Sequence, residues 1–141
     1  MAFARTIFGD VDPSTLGVVD CHDHLIRVGA GEVYIDGDHQ LDSVEKAIEE
    51  GGYFAEASRK WSPNGGTVVD MCPINCGRDL DKLAEVTKAV DGLQVIAATG
   101  FHREHVYLET QSHWINRYGV DKVAELVIAD IQIGRASCRE R

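Results

Sequence analysis

An alternation of short apolar runs with amphipathic stretches limits the fold more than any other feature of the chain. Three runs, Gly17-Val18-Val19-Asp20-Cys21, Thr67-Val68-Val69-Asp70-Met71 and Leu93-Gln94-Val95-Ile96-Ala97-Ala98, have the length and β-branched content of buried strands. Each precedes a stretch with helical periodicity. Ser43 to Trp61 carries Val44, Ala47, Ile48, Phe54 and Ala57 as an apolar stripe, weakened in the middle by Gly51-Gly52. Arg78 to Val90 sets Leu80, Leu83, Ala84, Val86 and Val90 on or near one face. His105 to Ile131 is expected as two helices, because Tyr118-Gly119-Val120-Asp121 offers a glycine stop followed by an Asp start. Strands and helices in this order build a parallel sheet through right-handed crossovers, an α/β architecture. The pattern alone leaves open whether the sheet closes into a barrel or stays open and doubly wound.

The 141 residues, 44% hydrophobic and 26% charged, suit one ordinary globular domain. A formal charge of -9 speaks against a nucleic-acid partner, which would require clustered Lys and Arg. The apolar runs fall far short of the roughly 20 residues that cross a bilayer, and Met1-Ala2-Phe3-Ala4-Arg5 has no signal-peptide core. No membrane partner is therefore expected, and the default location is cytoplasmic. Cys21, Cys72, Cys76 and Cys138 lack the paired C-x-x-C spacing of a structural zinc site and are read as ordinary reduced thiols. Gly65-Gly66 precedes a strand instead of following one, so it is a turn and not a phosphate-binding loop.

The last nine residues, Ile133-Gly134-Arg135-Ala136-Ser137-Cys138-Arg139-Glu140-Arg141, break the acidic, amphipathic character of what precedes them. They resemble the translation of a common short-read sequencing adapter. The expected division is a native segment over 1–132 and a foreign tail over 133–141.

The chemistry is concentrated in Asp20-Cys21-His22-Asp23-His24-Leu25, at the C-terminal end of the first expected strand. Alternate residues of a strand share a face, so His22 and His24 point the same way; if that way is into a barrel, both imidazoles can bind one ion at its mouth. Two histidines do not complete a catalytic zinc site, which takes three protein ligands and a water, so other strands must contribute. Asp20 and Asp23 are candidates to orient an imidazole through its other nitrogen; by alternation Asp20 shares the parity of the histidines and Asp23 does not. After the third strand, Phe101 and His102 stand at the same rim as candidate substrate contacts. His102 is a weaker candidate for a further metal ligand, and His105 is expected to face solvent.

Several stretches together resemble the phosphotriesterase family of the amidohydrolase superfamily, the phosphotriesterase-related and lactonase-like enzymes. Arg5-Thr6-Ile7-Phe8-Gly9-Asp10 with Leu16-Gly17 is similar to the family's N-terminal hairpin and the approach to its first barrel strand. His22-Asp23-His24-Leu25 matches its His-x-His motif, with Asp where Glu is frequent. Gly65-Gly66-Thr67-Val68-Val69-Asp70, Gly77-Arg78-Asp79 and Ala98-Thr99-Gly100-Phe101 match its second strand, next helix start and third strand end. The likeness covers residues 5–132.

This resemblance implies about three βα units at the N-terminal side of a TIM (β/α)8 barrel. It implies a site for two divalent metals, commonly zinc, in which His22 and His24 hold the more buried ion. The other family ligands, a carboxylated lysine, two histidines and an aspartate, would lie on later strands, so the catalytic residues are expected beyond the C-terminus of this chain. The implied activity is hydrolysis of a small-molecule lactone, carboxylic ester or phosphotriester by a metal-bound hydroxide, with the fragment inactive alone and a homodimer left open for the full-length form. Two rivals stand beside it: a deaminase or cyclic-amide hydrolase of the same superfamily, and a small non-catalytic metal-binding module.

Overall fold

In the computed structural model, which describes residues 2–102 and 117–139, the chain opens with an antiparallel hairpin of β1 (Ala4–Thr6) and β2 (Gly9–Val11). The turn closes on one hydroxyl: Thr6 Oγ1 accepts from the Phe8 N–H and donates to the Gly9 carbonyl. Arg5 and Asp10 pair across the strands at 2.7 Å. There follow β3 (Val18–Asp23), α1 (Gly31–Ile35), α2 (Val44–Ser58), β4 (Gly66–Asp70), α3 (Leu80–Ala89), β5 (Leu93–Ala97) and α4 (Val120–Arg139). Strands β3, β4 and β5 form one parallel sheet in sequence order, with α2 and α3 as crossovers. The hairpin tip joins this sheet where the Ile7 N–H donates to the Val95 carbonyl at 2.9 Å.

The three expected strands are all present, and β3 runs two residues further than its apolar core, to Asp23. Helix α2 stops at Ser58, short of Trp61, and one of its first free N–H groups, that of Lys46, is served by the Ser43 side chain. Helix α3 starts at Leu80 because Asp79 caps it, accepting from the N–H groups of Asp81 and Lys82. Of the two helices expected over His105 to Ile131, the second is α4, which starts after Gly119 and continues to Arg139, into the 133–141 tail expected to be foreign. Its predecessor, with His105, lies outside the described residues. No helix among the described residues is long and apolar enough to cross a membrane.

Helices α2 and α3 pack Ala47, Ala55, Leu83 and Val86 against Val68, Leu93 and Val95 of the sheet. The Gly51-Gly52 pair does not break α2. A Cβ on Gly51 would lie 2.9 Å from Leu93 Cδ2, so its absence lets the helix settle closely onto β5.

The strands start from a stair of glycines. Gly17, Gly65 and Gly92 stand one residue before β3, β4 and β5 with φ of +72°, +77° and +78°, the left-handed region that favours glycine. The carbonyl of Gly65 accepts from Val18 N at 3.1 Å and that of Gly92 from Gly66 N at 2.9 Å. A Cβ on Gly17 would sit 2.2 Å from the first of these oxygens, and a Cβ on Gly65 2.1 Å from the second. Gly65→Ala is therefore expected to lower stability by about 1–3 kcal/mol through backbone strain alone, and by more because a backbone oxygen cannot rotate away. Urea unfolding measures this, and an unchanged midpoint would show that the stair yields.

Candidate metal centre beyond the first parallel strand

The C-terminal end of β3 departs from simple alternation. Asp20 is partnered with Val68 and Asp23 with Asp70, and the register shifts between them. Val68 and Asp70 share a face, so Asp20 and Asp23 do too, although they are an odd number of positions apart; the strand carries one extra residue, a bulge. Such bulges re-aim side chains near functional sites. The expectation that alternation sets Asp20 and Asp23 on opposite faces fails for this reason.

His22 and His24 are nevertheless brought together. Their ring centroids are 5.8 Å apart with planes at 88°. His24 is the first residue past the strand and half-buried, while His22 is exposed. Burial first, and then the nearby Arg27 cation, hold His24 below the usual imidazole range against the opposing pull of Asp70. It is thus neutral at neutral pH, the form that ligates metals.

Asp20 and Asp23 hold the backbone at these histidines. Asp20 Oδ1 accepts from the His22 N–H at 3.2 Å, and Asp23 Oδ1 from the His24 N–H at 2.7 Å. A residue read from the sequence as an ordinary thiol reaches the ring: Cys72 Sγ lies 3.0 Å from His24 Nδ1. Cys72 is fully buried, and its thiol is pushed well above the usual range by its hydrogen bond to Cys76, by burial and by Asp70, against a lowering contact from Arg27.

Asp70 ends β4, inside an apolar run. It is fully buried, and its carboxylate accepts three backbone N–H groups: Leu25 at 2.9 Å and Ile26 at 3.3 Å on Oδ2, and Cys72 at 2.9 Å on Oδ1. The sequence signal for it was a charge in a strand otherwise built for burial. The ligand-type atoms of His24, Asp70 and Cys72 lie within 4.8 Å of one another, close enough to share an ion. The competition there is substantial, since both Asp70 oxygens already serve backbone donors and the thiol holds its proton.

Past β5, Phe101 and His102 are half-buried, and the His102 N–H donates to Asn75 Oδ1 at 2.8 Å, tying the segment after β5 to the loop after β4. That loop also meets the one after β3, where Val28 N donates to the Gly77 carbonyl at 2.7 Å.

A divalent ion suits the donors here. Two imidazoles stand side by side, one of them neutral through burial.

Parallel strands joined by helices, with polar groups gathered past the strands' C-terminal ends, are the βα units of an α/β sheet that carries its site at that rim. Residues 2–139 match the sequence model of the phosphotriesterase family, and the chain belongs to that family. It is 36% identical over 134 residues to a phospho-furanose lactonase of Mycoplasmopsis synoviae, covering 94% of this chain and 36% of that protein. Among solved structures it is similar to an amidohydrolase from Mycoplasma synoviae, with a TM-score of 0.78 at 36% identity over 90% of this chain and 35% of the other. It is also similar to a lactonase from Listeria monocytogenes, with a TM-score of 0.64 at 30% identity over 75% of this chain and 30% of the other. The chain thus spans about a third of the length of the curated relatives it matches, and its three βα units are the N-terminal portion of a TIM barrel.

Proposed function

We propose that the protein to which this segment belongs is a metal-dependent hydrolase of ester bonds, with His22 and His24 as two ligands of its metal centre. The carrying observation is the pair of imidazoles, 5.8 Å between centroids, at the C-terminal end of a parallel strand. Zinc is the expected ion, and two are expected in the complete site. Such ions, when bound, activate water at neutral pH and polarise a carbonyl or phosphoryl oxygen.

Within this segment, His22 and His24 bind, Asp20 and Asp23 fix the backbone that presents them, and Phe101 and His102 contact substrate. The remaining ligands and the catalytic acid or base come from later strands, so the segment is inactive by itself. A relative 36% identical is named a phospho-furanose lactonase, which favours a lactone over a carboxylic ester or phosphotriester. Membership of the phosphotriesterase family favours all three over the deaminase and cyclic-amide readings. A cytoplasmic location and the absence of a nucleic-acid partner remain parts of this reading.

The test is hydrolysis of lactone, carboxylic ester and phosphotriester substrates by the complete protein, with and without chelator. Activity is expected to vanish on chelation and return with zinc. His24→Ala should lower zinc affinity by more than the roughly 10–100-fold that losing an outer partner costs. Hydrolysis indifferent to chelators and to this substitution would refute the proposal.

A further inference from the structure

The thiol against His24 has a use that a structural cysteine does not need. A histidine that ligates through one ring nitrogen almost always donates a hydrogen bond from the other, which fixes its tautomer and orientation. Carboxylates commonly receive that bond, yet Asp20 and Asp23 accept backbone N–H groups at the histidines. The atom at His24 Nδ1 is Cys72 Sγ, at 3.0 Å.

We infer that Cys72 is a positioning residue for His24: its sulfur receives the Nδ1–H of the imidazole and so holds the ring as the tautomer with a free lone pair on Nε2. The inference rests on the reading of His24 as a metal ligand. The opposite arrangement, Cys72 donating S–H to Nδ1, would place the ring proton on Nε2 and block ligation there. The surroundings favour sulfur as acceptor. Besides His24, Cys72 has Cys76 and Arg27 as hydrogen-bond partners; a guanidinium can only donate, and the neighbouring Cys76 sulfur gives the Cys72 S–H an acceptor other than Nδ1.

The contact is also braced at both ends by one group. Asp70 Oδ1 holds the Cys72 N–H, while Asp70 Oδ2 holds the N–H groups of Leu25 and Ile26, the two residues after His24. A carboxylate committed in this way is a support for the ring and its partner. That is why the cluster of His24, Asp70 and Cys72 reads as the mount of a ligand and not as a second ligand set.

Histidine-labelled nitrogen NMR of the full chain at mildly alkaline pH, with the His24 signals assigned from a His24→Gln variant, reads the tautomer directly. The wild-type ring is expected to carry its proton on Nδ1. Cys72→Val should move the proton to Nε2 and weaken zinc binding by about 10–100-fold, and Cys72→Ser, which keeps an acceptor, should retain both.

A wild-type His24 protonated on Nε2 overturns the inference with no variant needed, so a valine variant that fails to fold leaves it decidable. So does an unchanged tautomer and zinc affinity in Cys72→Val. A sulfur-to-cobalt charge-transfer band in the cobalt-loaded chain, lost in Cys72→Ser, would make Cys72 itself a ligand and overturn it too. The hydrolase reading fails separately, in the substrate assays, whatever the tautomer.

Discussion

Arg78→Leu is expected to destabilise the chain by about 3–5 kcal/mol, the range for removing one partner of a buried ion pair. Arg78 and Asp130 form a two-pronged pair whose side chains are only 10% and 11% exposed. Arg78 also donates to the Ala98 carbonyl at 2.6 Å, and Thr99 donates to the same Asp130 carboxylate. Together these bonds fasten α4 to the end of β5 and to the start of α3. Burial alone would raise the Asp130 carboxyl, but the bonds from Arg78 and Thr99 outweigh it and hold the group below its ordinary 3.8. A folded-state value below the unfolded one means the stabilisation is present above about pH 4 and is lost as pH falls through the folded value. In Arg78→Leu the uncompensated carboxylate has the opposite sign: its folded value rises, and mild acid should restore part of the lost stability. Urea midpoints of both proteins across a pH series check this. A loss under about 1 kcal/mol would place the pair with exposed salt bridges, and the double replacement Arg78→Leu with Asp130→Leu should recover much of the deficit.

The secondary structure was legible because burial leaves a periodic record. Val68, Leu93 and Val95 lie in runs too apolar to be anything but buried strands, and Leu83 and Val86 repeat at helical spacing. The packing behind that record was less visible. Gly51-Gly52 reads as a weak point in a helix, yet Gly51 is where α2 must approach Leu93. Gly65-Gly66 reads as a turn, and only three strands side by side reveal that the carbonyls of Gly65 and Gly92 occupy the space a side chain would take. Closure into a barrel was undecidable from three strands, since local periodicity is the same in open and closed sheets. That step came from likeness to known barrels.

At the site, the approach of His22 to His24 was legible because alternate residues of a strand share a face. Their surroundings were not. The bulge between Asp20 and Asp23 leaves no mark in composition, and it reverses the parity argument that separated those carboxylates. Cys72 lies 48 positions from His24 in sequence, so nothing local announces their contact. Asp70 was hidden by its company, a single acid among β-branched residues.

Asp70→Ala should be comparably damaging, for a different reason. Three backbone N–H groups, those of Leu25, Ile26 and Cys72, would lose their acceptor inside a region where Ile26 and Cys72 are wholly shielded from water. Each orphaned buried donor costs about 1–3 kcal/mol, so the sum starts near 3 kcal/mol. Asp70→Asn keeps the size and one accepting oxygen, and is expected to fall between wild type and alanine. The same carboxylate positions the residues after His24 and the backbone of Cys72, so zinc affinity should fall along with stability in both variants, measured where each is still folded. Cys72→Val should dissociate the two effects, lowering zinc affinity while leaving the Asp70 bonds to the backbone in place. An Asp70→Ala protein within about 1 kcal/mol of wild type would mean that water or a rearranged loop serves those donors, and the brace between the two loops would not exist.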